Sequence, residues 1–265
     1  MADLASRAAP RQRWRCGKVE AGERLLVEET PVALVHDTTT TAVMMATPSD
    51  LEDFALGFSL NEGIIEHLDD IHDFDLVDTP LGLEVRMWLH APRGAMLAAR
   101  RRRLAGPTGC GLCGVESLAE AMRPPPSAPQ GGRITALQIH QGLEALSQAQ
   151  VLGAATRAAH AAGWWTPDEG ISLVREDVGR HNALDKLAGA LARRGAATEA
   201  GAIFLTSRVS VEMVQKSAMI GAPIIVAVSA PTTLAVRVAE EAGVTLAAVA
   251  REDGFEVFTR PDRIV

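Results

Sequence analysis

The chain has 265 residues, 47% of them hydrophobic and 22% charged, with a formal net charge of −7. That balance is ordinary for a soluble globular protein with a real core, in one large domain or two ordinary ones. An acidic total argues against nucleic acid as a partner, the absence of tyrosine argues against a base-stacking surface, and the longest apolar run, Ile224 to Val228, is far too short to span a membrane.

The opening residues, MADLASRAAPRQRWRC, carry charge without an apolar stretch, so they do not form a secretory signal. Three cysteines cannot build a disulfide framework without leaving one over. The expected setting is therefore reducing and cytoplasmic. Arg24–Val27, Val32–Val35 and Ala42–Met45 read as short strands. Thr47-Pro48-Ser49-Asp50 then opens a helix in which Thr47 caps, and Leu51, Phe54, Ala55 and Phe58 follow at helical spacing. Asn61-Glu62-Gly63 ends it, and Leu83 to Leu89 is a further strand.

Residues 91–114 form a loop with four consecutive arginines, Arg100 to Arg103, leading to Gly109-Cys110-Gly111-Leu112-Cys113-Gly114. A thiol reacts as its thiolate, and nearby Arg charge lowers a cysteine pKa from about 8.5. Pro124-Pro125-Pro126 and Gly131-Gly132 mark a junction. The chain thus divides into a small α+β unit over 14–123 and a second unit over 133–265.

After the junction the pattern becomes α/β. A long helical stretch covers about Thr135 to Ala161, with His160 near its end. Then come strand Ile171–Arg175, helix Asn182–Arg194, strand Ala202–Leu205, helix Val209–Ile220, strand Ile224–Val228, helix Thr232–Ala242, strand Thr245–Ala250 and an edge strand Phe255–Phe258. Apolar strands alternating with helices predict three layers around a mostly parallel sheet.

Each of these strands runs into a polar cluster, and a parallel sheet brings such clusters to one edge. The clusters hold Arg180 and His181, Arg208, Ser229, and the turn Val249, Ala250, Arg251, Glu252, Asp253, Gly254. Helix capping explains the small polar residues, with Asn182 and Thr232 as caps and Asp185 in the first turn. It does not explain two arginines and a histidine at the same edge, which suit a phosphate-bearing or nucleotide ligand. A Walker loop and a G-x-G-x-x-G fingerprint are both missing.

Four uses compete for the Cys110/Cys113 pair. Structural zinc lacks a second ligand pair, and a thioredoxin-type pair would follow a strand in a βαβ unit. A zinc deaminase needs His-x-Glu and Pro-Cys-x-x-Cys, whereas Ala162 and Gly109 stand here. A mobile thiolate that carries sulfur as a persulfide fits the glycines, the arginines and the neighbouring anion edge. Cys16 reads as a bystander.

Together the motifs resemble the formate dehydrogenase accessory sulfurtransferases, the FdhD family. The resemblance lies in Thr47-Pro48, Leu56-Gly57-Phe58, Asn61-Glu62-Gly63, the Thr108 to Gly114 loop, EDVGRHNALDKL (Glu176 to Leu187), LTSRVSVEMVQK (Leu205 to Lys216), GAPIIVAVSAPT (Gly221 to Thr232) and TRPDRI. It implies a sulfur carrier, a sulfurtransferase with Cys110 as the persulfide residue and Cys113 assisting or alternating. Sulfur would come from a cysteine desulfurase. It would pass to the bis-molybdopterin guanine dinucleotide molybdenum cofactor, bound as cargo, on its way to the formate dehydrogenase apoenzyme. A cofactor-binding chaperone without sulfur transfer is the alternative. The resemblance further implies a second domain of cytidine deaminase-like fold without its zinc, guanine nucleotide binding in part through Val249 to Gly254, and a homodimer. One departure stands out: Arg157 and Ala158 occupy positions where the family tends to have two glycines.

Overall fold

The computed structural model describes residues 5–91, 93 and 124–265. Strands β1 (Ser6–Arg15) and β2 (Lys18–Val27) form a hairpin that joins no other sheet. Strands β3 (Thr30–His36), β4 (Thr39–Ala46), β5 (Ile71–Thr79) and β6 (Gly82–Leu89) make a four-stranded sheet in the order β4-β3-β6-β5, with a parallel central pair. Helix α1 (Leu51–Asn61) covers one face, and its Leu51, Phe54, Ala55 and Phe58 pack with Val32, Leu34, Val85 and Met87. The apolar spacing thus places α1 as expected, but its start differs. The N-cap is Asp50, in the left-handed region at φ 51 and without a side-chain cap. Thr47 is taken by tertiary bonds instead: its N–H donates to Asp177 Oδ2 at 3.0 Å, and its hydroxyl accepts from Val178 N at 3.1 Å.

The stretch expected as one long helix is two helices and a strand. Helix α2 (Ala136–Ala149) opens with a capping box between Thr135 and Gln138, and α3 (Val151–Thr156) follows at once. The Glu176 carboxylate accepts from Leu152 N at 2.8 Å and Gly153 N at 2.7 Å, which satisfies two of the orphan donors of α3 and fixes the break. Arg157 ends α3 in the left-handed region at φ 60, and β7 (His160–Thr166) begins. Alanine-rich sequence there has helical propensity, but pairing of β7 with two neighbours overrides it.

Strands β7, β8 (Gly170–Asp177), β9 (Ala202–Leu205), β10 (Ile224–Ala227), β11 (Thr245–Arg251) and β12 (Gly254–Thr259) form a six-stranded sheet in the order β12-β11-β10-β9-β7-β8. The sheet is mixed: β9, β10 and β11 are mutually parallel, while β7 and β12 run against their neighbours. Helices α4 (Arg180–Arg193), α5 (Val211–Ile220) and α6 (Thr233–Ala242) bury Leu184, Leu187, Val214 and Val238 against one face. Helix α2 buries Ile139 and Leu146 against the other. The architecture is mixed α/β, with helices on both faces of this sheet.

The two sheets meet where α1 crosses α4. A Cβ on Gly57 would sit 1.8 Å from Asp185 O, and one on Gly189 would sit 2.0 Å from Asp53 O. Only glycine permits so close a helix crossing. The connection after Pro124 is strapped to the second sheet by buried Arg263, which donates to Pro129 O at 2.9 Å and Gly131 O at 3.3 Å.

Candidate functional site at the strand ends

Strand β8 is antiparallel to β7, which is antiparallel to β9, so β8 points the same way as β9, β10 and β11. Their four C-terminal turns therefore share one edge. Across it lie, in order, the Arg251 turn, Ser229, the Thr206–Ser210 turn, the start of β7, and the Asp177–His181 turn. His160 joins this row because β7 begins there, opposite Asp177. Sequence reading placed His160 at a helix end. The Gly163-Trp164-Trp165 stretch, poor in helix formers, was the available signal for a strand.

The segment Glu176 to Leu187 has two chemical halves. The inward half holds structure. Asp177 and Lys186 form an ion pair of 2.7 Å with both side chains fully buried. Asp177 also accepts from Gly179 N at 2.7 Å, and Lys186 donates to Thr47 O at 2.9 Å. Asn182 is not a cap, since Gly179 holds that position. Its amide donates to Met45 O at 2.8 Å and Asp177 Oδ1 at 2.9 Å. Asp185 is paired with Lys216 at 2.7 Å and accepts from Asn61 Nδ2 at 2.7 Å. Burial pushes the Asp185 carboxyl up, opposed by the Lys216 ammonium. Thr232 does cap, accepting from Ala235 N at 3.2 Å.

The outward half is unsatisfied. Among the described residues, five buried side-chain atoms have no hydrogen-bond partner: Arg180 Nε, His181 Nε2, Ser210 Oγ, Glu212 Oε2 and Ser217 Oγ. All but Ser217 lie in the turns or first helical turns at this edge. An unmade buried bond costs about 1–3 kcal/mol, so such a cluster leaves bonding capacity at this edge open to a ligand or to water. Burial, then the charges of Arg180 and Lys216, lower His181 from 6.5 to about 4, with Glu212 opposing. His160 is also lowered, by burial first and then by Arg180, with Arg208 adding to the effect. At neutral pH both histidines are thus neutral. The positive charge at this edge comes from Arg180 and from exposed Arg208 and Arg251.

The opposite end of the row carries backbone strain. Val249 has φ 53, an uncommon conformation for a β-branched residue, at a bulge between β11 and β12. Its N–H donates to Ser229 O at 3.3 Å, and Arg251 Nη1 donates to Val228 O, so this turn is tied to the end of β10. Ala250 packs into the core and presents only backbone, whereas Arg251, Glu252 and Asp253 are exposed, and Gly254 opens β12. The expected edge residues therefore gather in one row, and His160, Ser210 and Glu212 join those named from sequence, with Lys216 behind them paired to Asp185. Cys110, Cys113 and Arg100 to Arg103 lie outside the described residues. Cys16 is exposed in the β1–β2 turn.

Comparison with known proteins sharpens this picture. The chain is 48% identical to the sulfur carrier protein FdhD of Agrobacterium fabrum, over 99% of this chain and 97% of that protein. It is likewise 48% identical to the sulfur carrier protein FdhD of Cupriavidus necator, over 95% and 88%. A crystal structure assigned as a formate dehydrogenase accessory protein, from Desulfotalea psychrophila, matches with a TM-score of 0.76 at 26% identity, covering 98% of this chain and all of that one. The model of the FdhD/NarQ family matches residues 27–265, and on that span the chain belongs to the FdhD/NarQ family.

Proposed function

We propose that this protein is a sulfur carrier for formate dehydrogenase that moves persulfide sulfur on Cys110 to a molybdenum cofactor held at the strand-end edge. The observation that carries the reading is the set of buried, unpartnered polar atoms at that edge, beside Arg180 and Arg208. The α4 and α5 N-termini add free amide donors for phosphate. The printed names of the relatives supply the sulfur half of the reading.

In the first step the Cys110 thiolate attacks the outer sulfur of a desulfurase persulfide. A new S–S bond forms on Cys110, the old one breaks, and its electron pair leaves on the desulfurase cysteine. In the second step the terminal sulfur passes to molybdenum, which supplies the electron pair of its new bond, and Cys110 departs as thiolate. Arg180 and Arg208 hold the phosphates of the guanine dinucleotide. Neutral His181 and His160 supply hydrogen bonds without added charge, and the Ser229 and Val249–Gly254 turns receive the base. Cys113 assists or alternates with Cys110.

Incubation with a cysteine desulfurase and radioactive cysteine tests the carrier. Label is expected on the wild type and absent from Cys110→Ala, with a gain of about 32 Da on the Cys110 peptide. Full labelling of Cys110→Ala, with formate dehydrogenase activity intact, would sink Cys110 as the carrier, whereas a wild type that takes up no label yet still supports formate dehydrogenase would leave a cofactor chaperone without sulfur transfer.

A further inference from the structure

Glu212 is out of place at an edge suited to anions. It stands in the first turn of α5, and its Oε2 is buried without a hydrogen-bond partner among the described residues. Lys216, one turn further along α5, does not neutralise it, because its ammonium donates to both Asp185 oxygens at 2.7 and 2.8 Å. Ser210, the N-cap of α5, makes no side-chain cap, and its Oγ is likewise buried without a partner. A phosphate is repelled by this carboxylate. What fits against it is a neutral group that brings N–H donors, since a carboxylate only accepts, while the Ser210 hydroxyl in the same turn can donate.

Position along the row narrows the choice. From β11 to β8 the row crosses four strand spacings, roughly 19 Å at about 4.8 Å each. A guanine in the Val249–Gly254 turn takes the β11 end, and its phosphates run from there toward Arg208. Glu212 acts on the charge of His181, in the turn after β8, so this carboxylate lies toward the far end of the row. What the dinucleotide presents beyond its phosphates is the pterin. A pterin carries an amino group, an adjacent ring N–H and a carbonyl along one edge. Guanine has the same edge. Chemistry alone serves either ring, and the place in the row selects the pterin.

We infer that Glu212, with Ser210, is the specificity-determining pair for the pterin ring of the cofactor. The carboxylate accepts from the amino group and the adjacent ring N–H, and the Ser210 hydroxyl donates to the carbonyl. This rests on the reading of the edge as the cofactor's site and adds a second recognition point to it. Guanine and pterin are then read separately, one toward each end of the row. A ring with oxygen in place of the amino group sets lone pairs against Glu212 and is rejected, because the buried acceptor stays unpaired.

Fluorescence titration of the full-length protein, saturated with guanosine diphosphate, tests the assignment. The probe is pterin, and the control is lumazine, which has oxygen in place of the amino group. Pterin is expected to bind alongside the nucleotide, about tenfold tighter than lumazine. Glu212→Gln keeps the shape but turns one acceptor into a donor. It is expected to weaken pterin about tenfold and to leave calorimetric binding of guanosine diphosphate unchanged, which also shows that the variant is folded. Ser210→Ala is expected to weaken pterin by a smaller factor. A wild type that binds no guanosine diphosphate overturns the cofactor reading and this inference together. If the nucleotide binds, three results overturn this inference alone: pterin bound no better than lumazine, pterin displaced by the nucleotide, or Glu212→Gln weakening the nucleotide instead of pterin.

Discussion

The segment from Glu176 to Leu187 can be compared with itself. Asp177, Asn182, Asp185 and Lys186 point inward, and each finds partners within 3.0 Å. Arg180 and His181, in the same helical turn, each keep a buried nitrogen without a partner. One string of residues thus does two jobs. Saturated polar groups clamp the two sheets together, and the unsaturated ones face the strand-end edge. Motif strength alone does not separate these roles, but hydrogen-bond satisfaction does.

The sharpest way to break the comparison is to cut the saturated half. Asp177→Ala leaves the Lys186 ammonium buried without its counter-ion, and a loss of about 3–5 kcal/mol in urea unfolding is expected. A smaller loss would mean that the inward half does not clamp the fold. Gly57→Ala attacks the same junction sterically. Its Cβ meets Asp185 O at 1.8 Å, and forcing α1 and α4 apart is expected to cost about 2–3 kcal/mol in the same assay.

The unsaturated half is expected to respond to pH and ligand instead. His181 is depressed to about 4 against 6.5 in the unfolded chain, so the unfolded state takes up its proton first as pH falls. Stability due to this group is complete above pH 6.5 and is lost between 6.5 and 4. From pH 7 to 5 the wild type is expected to lose about 2 kcal/mol more than His181→Gln. Equal pH slopes for the two proteins would show that His181 is not held neutral. Arg208→Ala is expected to leave unfolding within about 0.5 kcal/mol of wild type. The same change is expected to weaken calorimetric binding of guanosine diphosphate about tenfold, the worth of one charged hydrogen bond. The smallest effect tests backbone strain beside His160. Arg157 is exposed at φ 60, and Arg157→Gly is expected to raise stability by about 1 kcal/mol.

Much of this was legible in the sequence because local chemistry dictated it. Apolar runs at residues 202–205 and 224–227 became buried strands, and the helix spacing of Leu51, Phe54 and Phe58 placed α1 on its sheet. Polar turns after parallel strands fixed the edge where Arg180, Arg208 and Ser229 gather. What failed was decided at long range. Thr47 and Asn182 have the chemistry of caps, yet they bond across the junction between the sheets. His160 sits in alanine-rich sequence, yet β8 and β9 draw it into a strand and into the edge row. Glu212 and Lys216 fell within a recognisable string without showing that one neighbours His181 and the other pairs with Asp185.

The sequence by itself determined the alternation of elements, the glycine-flanked Cys110 and Cys113 beside four arginines, and the polar residues that end each strand. Periodicity, turn chemistry and propensity act over a few residues, so they can be read along the chain. Only the tertiary structure decided which polar groups are satisfied. A buried ion pair such as Asp177–Lys186 and an orphaned nitrogen such as His181 Nε2 differ by what lies across the fold, more than a hundred residues away in Thr47 and Asn61.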